Sequence, residues 1–298
     1  MSRQFTLRSG ALHAEITERG AALRVLRDGG RDLVASWPAD GPIPCYSGTL
    51  LAPWPNRVGG ARYTFAGREH RLRVNEEDRG NALHGLVAEA AWEAVEQRSA
   101  EGDPDSVRLA HTITPVSGYP FTLALQVLHT LTPEGLTTTL TAENTGGEAA
   151  PYGCGPHPWL LAGGDVEEYE LHLPAGRVLL VDGSLLPRSL EDVSATPYDF
   201  RTSRVVGATP VDHAFTELAP DGDGLVRARV RGPEGGTEIR WEEAAMPWVQ
   251  VCTGTGLGHS GLAVEPMTCP PDAFNSGTDL IVLQPGEKAE HSWTISPC

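Results

Sequence analysis

The chain of 298 residues carries 39 acidic against 23 basic side chains, a formal net charge of −16. That excess argues against a nucleic acid or an anionic membrane surface as partner and suits a small neutral ligand. Lys288 is the single lysine, which removes Schiff-base chemistry from consideration and leaves basic groups that are almost all guanidinium forks, suited to planar hydrogen bonding.

The length allows one large domain or two small ones. Cys45, Cys154, Cys252, Cys269 and Cys298 are odd in number, widely spaced and free of any C-x-x-C pair. That pattern indicates reduced thiols and a cytoplasmic location, with neither a disulfide framework nor a zinc knuckle. The N-terminal Met-Ser-Arg-Gln-Phe lacks the apolar core of a signal peptide. The longest stretch free of Asp, Glu, Lys and Arg, Ala244 to Val264, is broken by Pro247 and several glycines, so no segment is expected to span a membrane.

Scattered through the chain, 34 Gly and 24 Pro leave runs too short for long helices. Period-two alternation fills those runs in order: Val107, Leu109, His111 and Ile113; Phe121, Leu123, Leu125 and Val127; Tyr169, Leu171 and Leu173; Val226, Ala228 and Val230; Thr237, Ile239 and Trp241; Val249, Val251 and Thr253. Turn signals separate them at Asp28-Gly29-Gly30, Ala66-Gly67, Glu134-Gly135, Gly146-Gly147, Asp182-Gly183, Asp221 to Gly224 and Glu234-Gly235-Gly236. Only Leu86 to Gln97, rich in Ala and Glu, has the propensity of a helix; Trp92, Ala94 and Glu96 also fit one face of a strand, and a strand is expected there. The expected fold is mainly β, a single large antiparallel β-sandwich over residues 1–298 with few short helices.

Five stretches put polar groups among Gly, Pro and aromatic residues. In Leu51 to Gly60, Arg57 follows a rigid Pro-Trp-Pro turn; it can offer hydrogen bonds to a polyol or pair with a local acid. Asn81 to Gly85 contains His84 beside a glycine, a pattern that also describes a structural histidine. Pro151 to Leu160 clamps His157 between prolines, with two glycines before it and Trp159 close behind. Val211 to Phe215 contains Asp212, a candidate acceptor for sugar hydroxyls. Gly261 to Gly277 ends an apolar run at Glu265, and Pro266, Pro270 and Pro271 stiffen the loop beyond it. A carboxylate leaving a strand into a stiff turn suits a general base, although pairing with an arginine explains it too.

Together and in order, these stretches resemble the aldose 1-epimerase (mutarotase) family, in particular its bacterial branch with a Pro-Trp-Pro-Asn-Arg segment. The resemblance covers most of the chain and implies a galactose mutarotase-like supersandwich with a sugar cleft on one sheet. It implies that Glu265 is the catalytic base and His157 the catalytic acid. His84, Arg57 and Asp212 then match positions that hold the sugar, while His213 and Asn275 receive no role. Trp54 and Trp159 are candidates for stacking on a pyranose face, with core packing as the rival for each.

The implied reaction interconverts the α and β anomers of a free aldohexose, an isomerisation that needs one acid and one base but no metal or organic cofactor. Pairing is expected to raise the pKa of His157 and lower that of Glu265. The expected partner is a monosaccharide and the expected assembly a monomer or homodimer. Rival readings are an epimerase of an anionic hexose, a 6-phosphate or 6-sulfonate sugar read by Arg62, Arg68, Arg71 and Arg73; a sugar-binding module without catalysis; and a metal-dependent enzyme using His84, His157, His213 and Glu265, which lacks close ligand spacing.

Overall fold

The computed structural model describes residues 3–99 and 105–298. Alternating burial along the strands organises it: in Leu123–Thr132 every second side chain is buried from Leu123 to Leu131, and Gly135–Asn144 repeats the pattern in the antiparallel partner. A period of two places each apolar set on one face, which must then be covered by another layer. The result is the expected antiparallel β-sandwich, with Ala273–Ser276 as the sole α-helix among the described residues.

The larger sheet has nine strands. It runs from Glu93–Arg98 through Asp105–Ile113, Leu123–Thr132, Gly135–Asn144, Lys288–Pro297, Gly235–Glu242, Leu225–Gly232 and Glu170–His172 to Arg204–Val205. A six-stranded sheet runs Trp159–Leu160, Leu262–Met267, Trp248–Cys252, Asp212–Leu218, Ala175–Val181, Pro187–Asp192. An N-terminal four-stranded sheet and the hairpin Arg62–Phe65 with Arg68–Arg71 complete the frame. One core cluster extends from Phe5 through Tyr63, Tyr152 and Trp241 to Ile295. The turns at Ala66-Gly67, Glu134-Gly135 and Glu234-Gly235 close hairpins as expected.

Two local expectations need correction. Within Leu86 to Gln97 only the second half is strand, Glu93–Arg98; residues 86–89 form a turn. The apolar strand also does not stop before Glu265 but continues through Pro266 to Met267. The strand Trp159–Leu160 reaches only as far as Ala263 along it. Beyond that point the neighbouring ladder partner is Trp248–Cys252 alone, and a proline is tolerated where one side of a strand is unpaired.

Candidate active site

The six-stranded sheet brings its polar residues into register. Gln250 lies opposite Glu265 and Asp212 opposite Cys252 across three adjacent strands, so their side chains rise from one face. The segment Gly155–Pro156 crosses close to this face, since a Cβ at Gly155 would stand 2.5 Å from the carbonyl oxygen of Pro266. That contact, open only to glycine, sets His157 beside Glu265. The backbone of His157 is fixed on both sides: its N–H donates to Thr49 O at 3.0 Å and its carbonyl accepts from Gly48 N at 2.8 Å.

His157 Nε2 stands 3.5 Å from Glu265 Oε1, with both side chains almost wholly buried. They line one cavity of about 470 Å³, together with Arg57, His84, Trp159, Asp212, Tyr46, Glu76, Arg79, Gln250 and Cys252. This volume lies within the usual range for small-molecule sites. His84 stacks edge-on to both Tyr46, at 4.6 Å between ring centroids, and His157, at 5.1 Å. It holds a positive φ of 61°, and the following Gly85 comes so near Ala52 that a Cβ would meet its carbonyl oxygen at 2.1 Å. The Leu-His-Gly motif is therefore a packed corner that turns an imidazole into the cavity.

Arg57 pairs with a local acid and lines the cavity as well, joining the two roles proposed for it. Its Nε and Nη2 donate to both oxygens of Glu76 at 2.9–3.1 Å, and Nη1 reaches Asn56 Oδ1 at 3.3 Å. Glu76 also accepts from Arg79 at 3.1 Å and from Asn81 at 2.9 Å. Asp212 accepts from Gln250 Nε2 at 2.6 Å. That bond leaves Gln250 Oε1, like Glu265 Oε2 and His84 Nδ1, buried without a partner among the described residues. Buried unpaired polar atoms are costly and here line a hollow, which suits a hydroxyl-rich guest.

The protonation of the pair reverses the expectation. Burial, reinforced by the charge of Asp212 and opposed by that of Arg57, pushes the Glu265 carboxyl well above its ordinary range. Burial also pulls His157 well below the ordinary imidazole range, and the charges of His259 and Arg57 add to that. In so dry a site desolvation outweighs mutual attraction, because a neutral acid beside a neutral imidazole avoids two buried charges. The pair therefore shares a single proton that rests on Glu265.

The two tryptophans part company. Trp159 lines the cavity, its ring stacked 5.6 Å from His157 and its Nε1 donating to Cys45 O at 3.1 Å, so it fixes the imidazole from behind. Trp54 does not line this cavity; it packs edge-on to Phe274 at 5.5 Å and borders a neighbouring basin. His213, tilted against Tyr198 at 4.6 Å, also lies outside. Asn275 donates to Arg62 O and Asp272 Oδ1, a bracing role. Arg62, Arg68, Arg71 and Arg73 do not line the cavity, and Arg79 does. Among the described residues no three His, Cys, Asp or Glu side chains converge as a metal site, and no helix is long and apolar enough to cross a membrane.

Sequence reasoning missed Tyr46, Glu76 and Gln250. Gln250 carried a faint signal, a lone carboxamide in the apolar run Trp248-Val-Gln-Val-Cys252. Glu76 sits in a charged run, Asn75-Glu-Glu-Asp-Arg79, that reads as solvated loop.

Comparison with known proteins bears on this geometry. The family model described as aldose 1-epimerase matches residues 3–296. The uncharacterised protein YihR of Escherichia coli K12 is 38% identical over 95% of this chain and 89% of its own length. Mouse galactose mutarotase is 26% identical over 97% of this chain and 92% of its own. The crystal structure of a galactose mutarotase-like protein from Clostridium acetobutylicum superposes with a TM-score of 0.87, covering 100% of this chain and 98% of that one at 15% identity.

Proposed function

The chain belongs to the aldose 1-epimerase family, and from that premise we propose that it interconverts the α and β anomers of a free, neutral aldohexose, with residues 1–298 acting as one domain. The observation that carries the proposal is the 3.5 Å contact between His157 and Glu265 inside a cavity shared with Arg57, His84 and Asp212. The two oxygens that must exchange a proton, O1 and the ring oxygen O5, are bonded to one carbon. An acid and a base that nearly touch can each serve one of them.

In the proposed cycle Glu265 accepts the O1 proton, the C1–O1 bond becomes a carbonyl, and the C1–O5 bond breaks with its electron pair passing to O5. His157 supplies the proton that O5 takes up. Rotation about C1–C2 presents the other face of the aldehyde, and the same steps run backwards. For the first step the shared proton must lie on His157, so it passes from Glu265 across their contact as the sugar enters. After ring opening the proton is back on Glu265 and His157 is neutral. The open-chain aldehyde thus meets the pair in the state that the empty cavity prefers, which lowers the cost of ring opening. Arg57, His84 and Asp212 hold the sugar hydroxyls, and Gln250, anchored by Asp212, presents a free acceptor beside Glu265.

Polarimetry of freshly dissolved α-glucose or α-galactose tests this reading. Wild-type protein should speed the approach to equilibrium, and Glu265→Gln and His157→Asn should remove most of the acceleration while sugar binding stays measurable. Full activity in either variant sinks the assignment. A second reading, an anionic hexose, draws on Arg79, which lines the cavity and spends one hydrogen bond on Glu76. Against it stand Asp212, Glu265 and Glu76 in the same cavity. Competition of 6-phosphate or 6-sulfonate sugars with glucose separates the two.

A further inference from the structure

A second basin of about 580 Å³ adjoins the cavity just described, and Tyr46, Leu83 and His84 line both. Its own walls are Trp54, Leu72, Leu86, Ala88 and Val116, with Arg73 and Ser117 among its polar groups. Leu86 and Val116 are 37% and 45% exposed, and Val74, beside Arg73 in sequence, is 40% exposed. Large apolar side chains are seldom left exposed together without a partner. The indole Nε1 of Trp54 is buried without an acceptor among the described residues. Arg73 makes no hydrogen bond or ion pair among them, whereas Glu89 is engaged by Arg19 at 3.0 Å. Both amide atoms of Asn75 are taken up by the backbone of Leu83, at 2.9 and 2.7 Å, which stiffens the shared wall.

We propose that this basin is a second sugar subsite, so that the protein accepts reducing disaccharides with the free anomeric ring in the cavity of Glu265 and the second ring beyond His84. The inference rests on the reading of that cavity as an aldose site. Apolar walls match the C–H faces of a pyranose, while an uncommitted guanidinium, a hydroxyl and an indole N–H match its hydroxyl edges. Continuity decides the occupant: a ligand filling the basin must pass the Tyr46–His84 corner that the first ring already touches. A second ring joined by one glycosidic oxygen does so.

The test compares KM for glucose with that for maltose, cellobiose and lactose by polarimetry, backed by calorimetric titration. Wild-type protein should show a KM for at least one disaccharide about three- to tenfold below that for glucose. Leu86→Trp, which fills the basin, and Arg73→Ala should abolish that preference and leave glucose turnover unchanged. Glucose turned over with no disaccharide preference, or both sugars weakened equally by Leu86→Trp, overturns the subsite and leaves the aldose reading intact. If no aldose is turned over, the aldose reading fails first. Calorimetry still judges the basin, since maltose binding indifferent to Leu86→Trp counts against it. A dimer in light scattering that Leu86→Asp dissolves, with no disaccharide preference, assigns the basin to a second copy of the chain and refutes the proposal.

Discussion

Two glutamates at opposite ends of one cavity have met opposite fates. Glu76 and Glu265 are both shielded from solvent, with 10% and 2% of their side chains exposed. Burial would raise either carboxyl, yet at Glu76 the hydrogen bonds from Arg57 and Asn81 and the charges of Arg57 and Arg79 outweigh it and hold the group below its ordinary value. At Glu265 burial acts with the charge of Asp212, and Arg57 is too weak an opponent, so the carboxyl keeps its proton. The number of N–H groups aimed at each carboxyl separates a structural anion from a proton reservoir. Glu76 binds its charge to position a guanidinium, whereas Glu265 is left with an unpartnered oxygen facing the hollow.

The sharpest way to break the contrast is to remove the reservoir. Glu265→Gln and His157→Asn should each lower kcat by about 10²–10⁴, the usual worth of a placed acid or base, with a much smaller change in KM. Removing the structural anion should act differently. Glu76→Gln frees Arg57 from its clamp and should raise KM about tenfold, as expected for a lost charge-assisted hydrogen bond, with kcat less affected. Equal effects of the two substitutions on kcat would mean that Glu76 also takes part in the proton exchange.

The same physics decides which features are legible in the sequence. Alternation in Leu123 to Leu131 and the Gly-containing turns announce the sandwich, because strand period and turn geometry are local properties. Arg57, His84, His157, Asp212 and Glu265 stand in distinctive Gly- and Pro-bearing stretches, and the fold gathers all of them around one cavity. The resting place of the proton is hidden, since it depends on desolvation by strands far apart in the chain. Glu76 is hidden in a charged loop and Gln250 in an apolar strand. Trp54 is misplaced by sequence reasoning because a Pro-Trp-Pro turn shows that a ring is held rigidly, but not into which hollow it faces.

The pH profile sharpens the contrast with a smaller effect. The pair works with one shared proton: a second would occupy the base, and loss of the first would leave no acid. Its alkaline limb therefore follows the raised pKa of Glu265. Asp212 is a cause of that elevation second to burial, so Asp212→Asn should move the alkaline limb of kcat/KM to lower pH. Glu76→Gln should move it the same way, by leaving the charge of Arg57 uncompensated. An unmoved limb in Asp212→Asn would show that burial alone sets the proton.

The smallest effect is on stability, and its sign comes from linkage. A carboxyl whose folded pKa lies above its unfolded value contributes stability that is whole below the ordinary 4.5 and is lost as pH rises through the folded pKa. His157 runs the other way: its pKa is depressed on folding, so its contribution is whole above the ordinary 6.5 and lost as pH falls through the folded value. Glu265→Gln removes only the first of these terms, because the carboxamide cannot ionise. Thermal unfolding should show the variant gaining on the wild type as pH rises above 4.5, the interval in which the unfolded chain has ionised its carboxyl and the folded one resists. Glu76→Gln should give the reverse trend, because its folded pKa is depressed and its contribution is lost as pH falls below the ordinary value. Parallel melting curves for wild type and Glu265→Gln across that interval would mean that Glu265 ionises as freely in the fold as in the open chain, and the two ends of the cavity would then be alike.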